Sequence, residues 1–115
     1  MINRDKFKLS IAIPCYNEKN TIENILKKID KSLKDYKISK YEIIIVDDFS
    51  NDGTNKILKN LAFDEKIQIY YHDNNLGKGA AIHTALKYIT GDITIIQDAD
   101  LEYDPSDYYK LLLPF

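Results

Sequence analysis

Four short runs of the chain, KLSIAIP, YEIIIVD, KIQIYYH and DITIIQD, are dense in Ile, Val and Tyr and are separated by polar stretches. The second and fourth are almost continuously apolar, the pattern of strands buried on both faces. Between the runs the apolar spacing changes to that of a helix. Ile22, Ile25, Leu26, Ile29 and Leu33 fall on one face and predict a helix from about Asn20 to Lys34, with Asn20 and Glu23 in a capping-box relation. A shorter helix is predicted from Thr54 to Leu61, entered from the polar turn SNDG. A third, from Lys78 to Ile89, puts Ala81, Ile82, Ala85, Leu86 and Ile89 on one side and stops before Gly91, read as a left-handed C-cap. Asp104 and Pro105 read as the N-cap and first turn of a fourth helix carrying Leu111, Leu112 and Leu113. Strands alternating with helices predict an α/β chain with a mainly parallel sheet, right-handed crossovers and helices on both faces, a three-layer α/β/α sandwich.

Composition narrows the picture without changing it. The 115 residues suffice for one core, and no repeat, low-complexity tract or Pro/Gly-rich linker divides them. Charged residues make up 30%, with a formal net charge of -2 and both signs interspersed, which argues against a nucleic-acid-binding surface. The single cysteine, Cys15, excludes an internal disulfide and a thiolate metal cluster; it reads as a small buried residue in a reducing compartment. LSIAIP is shorter than a signal-peptide core and far shorter than a membrane span, so a soluble, non-secreted chain is expected.

In parallel sheets ligands bind beyond the carboxyl ends of the strands. Here those ends carry PCYNE, DDFSNDG, HDNNLGKG and QDADLE, all polar and acid-bearing. A dinucleotide site needs a glycine-rich turn after the first strand, and PCYNEKN has no glycine; GKGAAI lacks the third glycine of that fingerprint and the spacing of a phosphate-binding P-loop. The acids after the fourth strand are more informative. Alternate residues of an extended segment point the same way, so Asp98 and Asp100 can present carboxylates together while Ala99 faces the protein. Adjacent carboxylates repel unless a cation lies between them, and oxygen ligands without His or Cys favour Mg²⁺ or Mn²⁺. Such an ion completes its shell with substrate phosphates, which points to a phosphorylated ligand. The alternative is a solvated loop in which Asp104 is a cap and Glu102 plain surface. Of Asp47 and Asp48, which end a fully apolar strand, one must turn inward and find donors, either on a ligand or in the backbone of FSNDG; Asp47 is read as the structural one. Tyr16 either stacks on a base or packs, and Lys78 either reaches a phosphate or is a solvated helix-start lysine. His72 and His83 read as surface or packing residues.

Taken together, SIAIPCYNE, YEIIIVDDFSNDGT, NLGKGAAIHTAL, the GD before the fourth strand and DADLEYDP resemble the family 2 glycosyltransferases of the GT-A fold. Within them, the resemblance is to the dolichyl- or polyprenyl-phosphate mannose and glucose synthases. It implies an inverting, metal-dependent transfer from a GDP- or UDP-sugar to a lipid phosphate. Pro14, Tyr16 and Glu18 match family positions that line base and ribose, and Val46 and Asp48 match those that hold the nucleobase. Asp98, Ala99 and Asp100 match the DxD motif that meets ribose, diphosphate and metal. Glu102 stands where many relatives have Gln as a further metal ligand, a departure that adds a charge. The resemblance further implies that residues 1–115 are the N-terminal part of one GT-A catalytic domain, acting in the cytoplasm or at the cytoplasmic membrane face. An apolar sheet surface left open by truncation would favour self-association. A nucleotide-sugar-binding module without transfer, and a transferase acting on saccharide hydroxyls in cell-surface polysaccharide synthesis, stay open alongside it.

Overall fold

Each apolar run becomes a strand and each of the first three helical stretches a helix in the computed structural model, which describes residues 7–61 and 64–99. The order is β1 (Leu9–Cys15), α1 (Ile22–Asp35), β2 (Tyr41–Asp47), α2 (Thr54–Leu61), β3 (Ile67–Tyr71), α3 (Lys78–Leu86) and β4 (Ile93–Ile96). The four strands form one sheet, all neighbours parallel, in the order β3-β2-β1-β4. The chain thus winds outward from β1 to β3 and then returns to the other side of β1. That reversal makes the carboxyl ends of β1 and β4 the topological switch point, where doubly wound sheets open a crevice.

Period-two alternation along the strands sorts the core into two clusters. Leu9, Ile11, Ile13 and Cys15 of β1, with Ile43, Ile45 and Ile95, meet Ile22, Ile25, Ile29 and Leu33 of α1 and Leu58 of α2. On the opposite face Ala12, Ile44 and Val46 meet Ala81 and Ala85 of α3. Each fully buried Ile or Leu contributes about 2 kcal/mol of transfer free energy, which is why the apolar stripe of α1, and not its intrinsic propensity, holds that helix in place. No helix among the described residues is long and apolar enough to cross a membrane.

Two helix ends differ from the expectation. Thr21, not Asn20, stands at the N-cap of α1 and makes no side-chain cap bond. Its hydroxyl donates instead to the Glu18 carboxylate at 2.7 Å, and the N–H groups of Thr21 and Ile22 donate to the Glu18 carbonyl at 3.1 and 2.9 Å. The turn after β1 has taken over the capping role. At the other discrepancy, α3 ends at Leu86 with a helical residue, Lys87, at its C-cap, so Gly91 is not a left-handed cap. Gly91 lies against β1, where an added Cβ would stand 2.3 Å from Ser10 Oγ, 2.8 Å from Lys8 O and 2.9 Å from Ser10 N. Close approach, not conformational freedom, requires glycine there. Replacing Gly91 by Ala is expected to cost about 2 kcal/mol or more, because the obstructing atoms include the backbone of the central strand. A urea melt indistinguishable from that of the parent protein would refute this.

The close approach also closes a polar cluster at the amino end of the sheet. Buried Glu42 accepts from Ser10 Oγ at 2.7 Å, Thr90 N at 2.6 Å and Thr90 Oγ1 at 2.9 Å, and it pairs with Lys8 Nζ at 3.3 Å. Burial pushes its carboxyl up, but the hydrogen bonds from Thr90, Ser10 and Lys8 outweigh that and hold it below its ordinary value. The fourth helix expected from Asp104 lies outside the described residues, as do Asp100 and Glu102.

Candidate functional site

The loops that follow β1 and β2 lock each other. Asn17 adopts a left-handed conformation, φ 52°, which suits a short polar side chain better than most. Its N–H donates to Ser50 Oγ at 2.9 Å, and its side-chain oxygen accepts from Asn51 N at 2.8 Å. The Ser50 hydroxyl passes on to the Asp47 carboxylate, which also accepts from Ser50 N at 3.1 Å. Asp47 therefore serves the FSNDG turn, as its position suggested. One residue on, Glu18 N donates to Thr54 Oγ1 at 3.0 Å, tying the β1 loop to the start of α2. Pro14, Tyr16 and Glu18 are held along one wall by this lacing.

Asp48 organises the opposite side. Its N–H donates to the Cys15 carbonyl at 2.8 Å, and its buried carboxylate faces four donors. Oδ1 accepts from Leu76 N at 2.9 Å and lies 2.7 Å from His72 Nδ1; Oδ2 accepts from Gly77 N at 2.7 Å and Asn75 Nδ2 at 3.1 Å. Burial raises this carboxyl, but the N–H groups of Leu76 and Gly77 and the His72 imidazole draw it below the usual carboxylate range. His72 Nε2 lies 2.8 Å from Thr84 Oγ1, so the imidazole joins Asp48 to the middle of α3. Gly77, at φ 100°, turns the chain into that helix. Sequence reasoning read His72 as a packing or surface residue and missed the bridge. The strand register reveals it: Asp47 pairs with Tyr71 between β2 and β3, which places Asp48 and His72 side by side at the strand ends.

Between these walls, at the switch point, lies a cavity of about 320 Å³, within the range of small-molecule sites. Pro14, Cys15, Tyr16 and Glu18 come from the end of β1, Asp48 from β2, Asn75, Gly77, Lys78 and Ala81 from the third loop and α3, and Asp98 and Ala99 from the end of β4. Seven of the residues singled out in the sequence thus meet in one place: Pro14, Tyr16, Glu18, Asp48, Lys78, Asp98 and Ala99. Val46 does not line it; its side chain is fully buried between the sheet and α3. Tyr16 lines it and is 43% exposed. Cys15 is buried, and its thiol is pushed well above its ordinary value by burial and by the nearby charges of Asp47, Glu18 and Asp52, so it is no nucleophile.

The cation chemistry rests on few groups. Among the described residues no three His, Cys, Asp or Glu side chains gather as a closed metal cage. Asp98, only 8% exposed, presents its carboxylate to the cavity and pairs with Lys78 Nζ at 2.6 Å. Asp48 is committed to its own donors. An oxygen-only site with so few protein carboxylates fits Mg²⁺ or Mn²⁺, which take one or two carboxylates and leave the remaining positions to water and phosphate.

A family model described as glycosyl transferase family 2 matches residues 10–115. The chain is 31% identical over 105 residues to a dolichol-phosphate mannosyltransferase of Pyrococcus furiosus, an alignment covering 91% of this chain and 29% of that protein. It is 34% identical over 107 residues to an undecaprenyl-phosphate 4-deoxy-4-formamido-L-arabinose transferase of Proteus mirabilis, covering 91% and 32% respectively. Among solved structures, a mannosyltransferase from Pyrobaculum calidifontis in complex with GDP-Man and Mn²⁺ superposes with a TM-score of 0.77 at 31% identity, covering 90% of this chain and 30% of that one. The chain spans about a third of the length of these relatives.

Proposed function

Because the chain belongs to glycosyl transferase family 2, we propose that its cavity binds a nucleoside-diphosphate sugar, as the donor half of an enzyme that transfers the sugar to a polyprenyl or dolichyl phosphate. The observation that carries this is the convergence of PCYNE, Asp48, Lys78 and Asp98 on one crevice at the switch point of a parallel sheet. Such a crevice is where nucleotides lie in this class of fold.

Roles follow from position. Tyr16 stacks on the base, and Pro14 and Glu18 border the ribose. Asp48 shapes the base pocket through the loop it holds, since its oxygens are already engaged. Lys78 faces the diphosphate. Asp98, with Asp100 and Glu102 beyond the described residues, holds Mg²⁺ or Mn²⁺. The ion, when bound, supplies Lewis-acid stabilisation of the charge that builds on the departing nucleoside diphosphate. The transfer is a single displacement. An acceptor oxygen bonds to the anomeric carbon as the bond to the diphosphate oxygen breaks, with inversion at carbon, and the leaving group keeps the electron pair. A lipid phosphate is already an anion at neutral pH and needs no strong base, so none need be sought in this wall. Residues 1–115 are then the N-terminal part of one catalytic domain working at the cytoplasmic face of a membrane, where such an acceptor resides.

A donor panel followed by thermal shift with Mn²⁺ tests the reading. GDP and GDP-mannose, the latter held by the Pyrobaculum calidifontis neighbour, are expected to raise the melting temperature by about 5 °C or more at saturating concentration, and UDP not to. A response to UDP alone would reassign the donor, and silence toward every nucleotide would remove the nucleotide-sugar site.

A further inference from the structure

Lys78 is the one basic residue among the described residues that line the cavity. Its ammonium lies 2.6 Å from Asp98 Oδ1, although the lysine side chain is 58% exposed and the aspartate side chain only 11%. The two ends of this pair are unequal. Asp98 is fixed at the end of β4 and shielded from water, so its charge requires a counter-charge at close range. Lys78 sits on a long, flexible stem at the first turn of α3, and water can take its ammonium at little cost.

We propose that Lys78 is the internal counter-cation of this site. Its ammonium holds the Asp98 carboxylate until a divalent ion takes that carboxylate, then turns from Asp98 to the diphosphate that arrives with the ion. The inference rests on the nucleotide-sugar reading above. Electrostatics support an exchange over simple addition. A divalent ion and an ammonium on one carboxylate repel each other across a few ångström, so the mobile charge moves. The base of α3 does not move with it. Gly77 N is anchored on Asp48 at 2.7 Å and Ala81 is fully buried against the sheet, so only the side chain swings. A diphosphate that enters a wall carrying Glu18 and Asp98 meets the ion and the released lysine together, and its charge is balanced by both.

The exchange gives effects of opposite sign, which a merely structural lysine would not. In Lys78→Met, Mn²⁺ alone, titrated by electron paramagnetic resonance, is expected to bind about fivefold tighter or more, the order set by removing one neighbouring positive charge at a half-exposed site. GDP titrated into the same variant at saturating Mn²⁺ is expected to bind about tenfold weaker, since a phosphate partner has gone. Lys78→Arg, which keeps the charge and reach, is expected to restore both affinities toward the parent values. Unchanged or weaker Mn²⁺ binding in Lys78→Met, with Mn²⁺-dependent GDP binding intact in the parent protein, overturns the exchange and leaves the nucleotide-sugar reading standing. Absence of Mn²⁺-dependent GDP binding in the parent protein overturns that reading itself.

Discussion

Asp98→Asn is expected to remove Mn²⁺-dependent binding of GDP-mannose, with a loss in affinity of about a hundredfold or more. The substitution keeps the shape of the side chain and takes away its charge. It acts where the side chain is 11% exposed and the residue lines the cavity, so bulk water compensates little. Removing a unit charge from the immediate surroundings of a divalent ion is worth several kcal/mol at the effective dielectric of a partly buried site. The same change at Asp100, the second acid of the DADLE motif, is expected to act alike. Calorimetry with and without Mn²⁺ measures both. Equal affinity in parent and variant under both conditions would show that neither acid serves the ion, and would leave the loop-and-cap reading of this stretch.

The second large effect is on stability. Asp48→Ala is expected to destabilise the fold by about 2–3 kcal/mol, because it leaves Leu76 N, Gly77 N, Asn75 Nδ2 and the His72 imidazole without their charged acceptor in a part-buried site. Thr84→Val breaks only the far hydrogen bond of His72 and is expected to cost about 1 kcal/mol. The contrast separates loss of the hub from loss of a spoke. The pH dependence carries a sign as well. Asp48 titrates below its ordinary value in the folded chain, so its stabilisation is complete above the unfolded carboxyl value of about 3.9. It is lost as the pH falls through the lower, folded value. Urea midpoints of the parent protein are therefore expected to fall below about pH 4, with Glu42 adding to the slope in the same direction. Asp48→Ala is expected to flatten that fall; an identical acid profile would show that the hub carboxylate is not what titrates.

What could be read from the chain followed from periodicity. α2 begins and ends where its apolar spacing and its SNDG entry indicated, and every strand lies within its apolar run except β1, which continues one residue past it to Cys15. The cavity wall was legible for a related reason. Polar residues that interrupt an apolar strand at its carboxyl end have few places to go in a parallel sheet except the shared crevice. Contacts between elements were not legible. Gly91 looks like a helix stop because glycine often is one, and only the proximity of Ser10 and the Lys8 carbonyl reveals that it makes room for β1. Asn20 and Glu23 have the spacing of a capping box, yet Glu18 reaches Thr21 first. Val46 carries a site position in the resemblance, but an apolar side chain at that point of the strand goes under α3. His72 needed the strand register before its partner was visible.

The residues that α3 turns toward the sheet, Ala81 and Ala85, are small, and they face Ala12 on β1. Side chains this short set the standoff between helix and sheet as a shim does, and the width of the crevice at the start of the helix follows from it. Ala85→Leu, at a buried position outside the cavity lining, would push the helix outward and carry Lys78 away from Asp98 without altering a group that lines the cavity. If the crevice takes a nucleotide sugar as proposed, its width is accordingly adjustable through methyl groups buried behind the site, out of reach of the ligand.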